Sequence, residues 1–244
     1  MQKFLIPAGA AVVLCGLCAP GAQAAEFRAT LGGWGYHFEG KVDDRGTRYD
    51  FQDDLELEPR RRRSASLEFD TRPGWWPDFA ASYNQLGADG HHTETTTIGP
   101  VTDTRVIATA ARFDNYDLVA RYPFRLGPFR ASAGLAVQQL RGEIQIEDSA
   151  DALLRHERYD EIFPQLHAQL RWRIAGVTLV ATGQGVEYDG SRALEWRANA
   201  QVRWLQPLLV EFGWQDKRYR ISLTDYALDA RMRGALVRIG FLYR

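Results

Sequence analysis

Apolar and polar residues alternate with a period of two along much of this chain. Residues 194–204 place Leu194, Trp196, Ala198, Ala200, Val202 and Trp204 on one face and Glu195, Arg197, Asn199, Gln201 and Arg203 on the other. Residues 165–173 set Leu166, Ala168, Leu170 and Trp172 against Gln165, His167, Gln169, Arg171 and Arg173. Residues 129–137 repeat the pattern. Such alternation marks strands with one oily and one polar face. Looser versions near 27–38, 64–71, 78–86, 115–123, 177–187, 208–218 and 234–243 bring the expected count to about ten. Eight or twelve stay open, because residues 87–114 can hold an extra hairpin.

The connections alternate in length. Short turns carrying Gly or Pro are expected near Arg72-Pro73-Gly74, Gly127-Pro128, Ala175-Gly176 and Gln206-Pro207. Longer polar loops are expected over 40–63, 87–114, 141–161 and 219–233, with a shorter one at Tyr188-Asp189-Gly190. Phe27, Trp75, Trp76, Phe79, Tyr122, Phe124, Phe129, Trp172, Trp204 and Tyr243 gather toward the short-turn rim. Trp34, Tyr83, Tyr116, Trp196 and Trp214 gather toward the other. Two aromatic belts around an apolar band, with turns on one rim and loops on the other, predict a transmembrane antiparallel up-and-down β-barrel, oily outside and polar within. A soluble barrel with the reverse polarity shares the same alternation.

The chain's two ends favour the membrane alternative. Residues 1–24 read as a signal peptide: Lys3, an apolar run from Phe4 to about Cys18, and the small-x-small site Ala22-Gln23-Ala24. The expected barrel domain is 25–244, exported to a Gram-negative outer membrane, and it contains no cysteine. The last strand ends in Phe241-Leu242-Tyr243, followed by Arg244 where outer-membrane barrels more often end on an aromatic. The mean hydropathy of -0.35 does not oppose this, since alternate barrel residues avoid lipid. A net charge of -1 points to no nucleic-acid partner. Outer-membrane lipids, lipopolysaccharide and the outer-membrane assembly machinery are the expected partners.

Leu31-Gly32-Gly33-Trp34, Asp53-Asp54-Leu55-Glu56-Leu57, Leu140-Arg141-Gly142-Glu143-Ile144 and the Phe241-Leu242-Tyr243 ending resemble a family of small proteobacterial outer-membrane β-barrel proteins of unassigned function. The resemblance implies a barrel and carries over no catalytic residue.

Ten strands enclose a narrow lumen. Its inward face is expected to hold Glu68, Asp117, Arg121, Arg171, Glu195, Arg197, Glu211 and Arg238. Unpaired charge there is costly, so these groups should bridge one another. The result is either a polar plug with a structural role or a narrow passive pore for small ions and solutes. If the network is the plug, removing Arg171 or Arg197 opens it. In the first loop, Asp53, Asp54, Glu56 and Glu58 run into Arg60, Arg61, Arg62 and Arg63. These arginines either pair locally or meet lipopolysaccharide phosphates, whose geometry suits guanidinium. The carboxylates match no standard calcium loop. His91-His92 beside Glu94 is a poor metal pair, because adjacent extended residues diverge. Neither a Gly-x-Ser-x-Gly elbow nor a His-Glu-x-x-His motif occurs. No cofactor is implied. Two further function classes stay open beside the structural and pore readings: a lipid-directed hydrolase, and a surface-binding module acting through its loops.

Overall fold

The computed structural model describes residues 26–44, 47–54, 56–59, 62–71, 76–98, 101–148, 155–205, 207–223 and 226–243. The expected signal segment, Trp75, Arg60 and Arg61 lie outside them. Twelve strands form: β1 (Glu26–Asp44), β2 (Thr47–Asp50), β3 (Glu58–Pro59), β4 (Arg62–Asp70), β5 (Asp78–Ile98), β6 (Val101–Leu126), β7 (Phe129–Asp148), β8 (Arg155–Ile174), β9 (Val177–Tyr188), β10 (Ser191–Leu205), β11 (Leu208–Leu223) and β12 (Tyr226–Tyr243). Ten of them pair antiparallel in chain order, and β12 closes on β1. β2 folds back on the top of β1, and β3 pairs with β5 above the end of β4. The chain is a closed, ten-stranded, all-β up-and-down barrel.

Two-residue turns set the tight connections. Ala175-Gly176 and Asp189-Gly190 join β8 to β9 and β9 to β10, and all four residues have positive φ. That is the conformation whose twist matches flanking antiparallel strands.

The strands run much longer than the alternation suggested. β5 has 21 residues and β6 has 26, whereas about 9–11 cross a bilayer. The segments 87–114, 141–161 and 219–233, expected as loops, are largely strand. The reason is a reversal of polarity along each strand. On β1, Phe27, Ala29 and Leu31 point outward below, while Arg28 and Thr30 point inward. Higher up, His37 and Lys41 point outward, while Trp34, Tyr36, Phe38 and Val42 are buried inside. β12 reverses likewise: Val237, Ile239 and Phe241 are exposed below, and Arg231 and Arg233 face out above the buried Met232 and Leu236. Charged residues at every second position gave these upper strands the look of polar loops.

The outer surface therefore carries an apolar band with a wall of charge above it. Leu31, Leu118, Leu135, Leu166 and Ile239 fill the band, with Trp204 and Tyr243 at its lower edge and Trp196 and Trp214 at its upper edge. The tilted pair Tyr83 and Tyr116, ring centroids 5.0 Å apart, continues that upper edge. Trp34, expected in this belt, is instead 1% exposed inside the barrel. It packs 5.0 Å from Tyr36, because β1 reverses its polarity between Leu31 and Trp34.

A filled lumen as the candidate functional site

All eight expected lumen residues sit on inward-facing positions. They fall into stacked layers. The lowest is centred on Glu68 and Asp70 of β4. Arg171 donates to both carboxylates, reaching Asp70 at 2.6 Å. Arg121 donates to Glu68 at 3.0 Å. Arg28 donates to Asp70 at 2.5 Å and lies 3.2 Å from both Glu68 and Glu26. Three guanidinium groups thus converge from β1, β6 and β8 on two acids, a charge-assisted arrangement that ties distant strands across the interior.

Beside it, Arg238 of β12 lies 3.5 Å from Glu211 and donates to Ser64 at 3.0 Å. Above, Lys217 is fully buried. Its ammonium donates to Asn115 at 2.6 Å and lies 2.8 Å from Glu195 and 3.7 Å from Asp117. Gln184, Gln138 and Gln215 satisfy the remaining carboxylate oxygens. Arg197 is the exception: it lies in the field of Glu211, Glu195 and Glu68 but makes no direct ion pair among the described residues. A space of about 30 Å³ beside Arg197 and His167 has room for about two waters.

The third layer is apolar. Trp34, Phe38, Phe51, Phe113, Leu140, Phe163, Leu228, Met232 and Leu236 are all nearly inaccessible and form one cluster across the upper lumen. The Tyr36 hydroxyl donates to the Gly87 carbonyl and accepts from the Gly87 N–H, both at 2.5 Å. The polar interior of a membrane barrel thus gives way to the oily interior of a soluble one within the same strands.

Several members of these layers were not anticipated: Arg28, Asp70 and Lys217. Asp70 lies two residues from Glu68 and Lys217 six from Glu211, so extending the alternation by one or three positions finds them, whereas Arg28 lies on β1, where no lumen residue was expected. Of the four consecutive arginines, Arg63 is exposed on the outer wall opposite Gly33, and Arg62 lies in β4. His92 Nδ1 donates to the Glu56 carboxylate at 3.1 Å, and among the described residues no His, Cys, Asp and Glu cluster could hold a metal ion.

No family model matches the chain, and neither does any curated protein. Solved structures do. The outer membrane protease OmpT from Escherichia coli superposes with a TM-score of 0.63 at 10% identity, covering 89% of this chain and 97% of that one. This is the fold of an outer-membrane barrel. Ail of Yersinia pestis is similar at a TM-score of 0.38, with 11% identity over 91% of this chain and all of that one. The translocator domain of the autotransporter NalP from Neisseria meningitidis scores 0.40, with 11% identity over 95% and 92% of the two chains. At such identities the likeness to an outer-membrane barrel concerns architecture and transfers no activity.

Proposed function

We propose that the chain is an exported outer-membrane protein whose barrel is closed to solutes and serves as a rigid stalk, lifting a charged wall and its hairpins clear of the lipid. One observation carries this reading: the lumen is filled twice, by ion pairs at the level of the outer apolar band and by aromatic and aliphatic side chains above it. A pore needs a continuous aqueous path, and either layer interrupts one. The apolar band supports insertion in a bilayer. The wall above it carries paired charges, including Arg220 with Asp229 at 2.9 Å, Arg233 with Glu39 at 2.6 Å and Arg141 with Asp160 at 3.0 Å. Arg63, at the band's upper edge, adds a guanidinium where lipopolysaccharide phosphates would lie. On this reading the protein acts as a surface-binding scaffold, and its filled lumen argues against a channel. The outer-membrane assembly machinery would insert it.

Single-cysteine labelling on intact cells tests the orientation. A membrane-impermeant maleimide should label Arg220→Cys on the upper wall and fail to label Thr71→Cys at the short-turn rim. The opposite pattern would refute the proposed topology.

A further inference from the structure

We propose that the vestibule at the short-turn end of the barrel binds a small multivalent oxyanion, a di- or triphosphate-like or polycarboxylate ligand. The inference needs only the barrel and not the membrane reading above. A cavity of about 860 Å³ opens there, lined at its mouth by the turn residues Gly127 and Pro128. That volume is in the range of small-molecule sites. Six arginines line it against two carboxylates, Glu26 and Asp70.

The strand registers concentrate this charge. Arg125 of β6 stands opposite Arg130 of β7, and Arg130 stands opposite Arg171 of β8. Like charges directly opposite destabilise an antiparallel pair, so a row of three needs compensation. The protein supplies part of it: Arg130 donates to Asp78 at 2.7 Å, and Arg171 reaches Glu68 and Asp70. The two carboxylates of the cavity are themselves engaged: Glu26 lies 3.2 Å from Arg28, and Asp70 is shared by Arg28, Arg171, Arg121 and, at 3.7 Å, Arg130. Arg125 and Arg173 are exposed at the mouth and reach no carboxylate among the described residues.

An independent sign lies deeper. Arg171 is 7% exposed, lines the cavity, and its Nε has no hydrogen-bond partner. Burying such a donor unsatisfied is costly, and an oxyanion in the vestibule would meet it. Guanidinium groups recognise carboxylate and phosphate through paired N–H donors, and low-dielectric walls focus the positive field. The ionic layer around Glu68 closes the far end, so the ligand enters and leaves by the rim. The cavity opens at the rim and not through the barrel wall, which assigns the site to a soluble anion.

Calorimetric titration of the mature barrel in zwitterionic detergent at low salt tests this, with inorganic pyrophosphate and citrate as the two probes. At least one should bind saturably, and which one does distinguishes phosphate from carboxylate chemistry. Arg125→Gln/Arg173→Gln, which removes no ion pair, should weaken binding at least tenfold while the folded gel mobility persists. Arg218→Gln/Arg220→Gln on the outer wall should bind as the parent does. Failure of both probes, equal binding by the vestibule variant, or equal loss in the outer-wall variant would each overturn the proposal.

Discussion

Arg238 of β12 faces Gly32 of β1 across the seam that closes the barrel, and it passes over that glycine to donate to Ser64 of β4 at 3.0 Å. The three residues are in register on three adjacent strands. A Cβ on Gly32 would stand 2.0 Å from the Val237 carbonyl oxygen and 2.9 Å from Arg238 Cγ. Backbone approach this close is a reason for glycine within a strand. Gly32→Ala is therefore expected to block closure, abolishing the compact band on unheated detergent gels. Gly35→Ala, whose Cβ meets nothing within 4 Å, should keep it. A compact Gly32→Ala band would show that the seam can shift.

The two lumen layers make a specific statement about conductance. The protein is expected to be silent in planar bilayers, and Arg171→Ala is expected to stay silent, because the cluster around Trp34, Phe113 and Leu236 still seals the upper barrel. Discrete channel openings in Arg171→Ala would mean that the ionic layer alone is the barrier.

Lys217 is the least accessible charge in the barrel, and Glu195 depends on it. Lys217→Met leaves that carboxylate buried without its cation, which typically costs about 3–5 kcal/mol. Urea unfolding in lipid should show this loss. Adding Glu195→Gln should recover most of it, since a neutral amide no longer needs the ammonium. Additive losses in the double variant would contradict the pairing.

Ala175 occupies the first position of a two-residue turn at φ 43°. Left-handed backbone costs a non-glycine residue about 1–2 kcal/mol, so Ala175→Gly should raise stability, by less than that because glycine also loses more entropy on folding. An unchanged or lower unfolding midpoint would count against strain at this turn.

Asp216 lies on the outer wall just above Trp214, beyond the apolar band. Burial pushes its carboxyl up, but hydrogen bonds from Arg231 at 2.5 Å and Arg218 at 3.4 Å outweigh burial and hold it below its ordinary value of 3.8. A depressed acid contributes stability above its unfolded value and loses it as the pH falls through the folded one. The stability advantage over Arg231→Gln should stay constant above about pH 5 and shrink below 3.8. An advantage that does not change with pH would assign the arginine's effect to packing.

The lower half of the barrel was legible because an apolar outer face and a charged inner one impose alternation with large contrasts, as in Leu194 to Trp204. The upper half was not. There Arg218, Arg220, Arg231 and Arg233 alternate with Tyr219, Ile221, Ala230 and Met232, which is still period two but with the faces exchanged. Periodicity locates a strand without saying which side is inside, so the reversal hid both the strand length and the apolar layer. The lumen acids and bases followed from face alone. Their partners did not, because Arg28 meets Asp70, 42 residues away, through register and barrel curvature that no local pattern encodes.

The exchange of faces between Leu31 and Trp34 acts as a waterline. Sinking the cylinder by one strand pair would drag Arg231, Arg233 and Lys41 toward hydrocarbon, at about 2–4 kcal/mol for each basic residue that reached mid-bilayer. Raising it would bare Leu166 and Ile239 to water. In the bilayer proposed above, a cylinder so constructed would float at a single depth, and whatever its upper wall contacts would be met at a fixed height above the head groups.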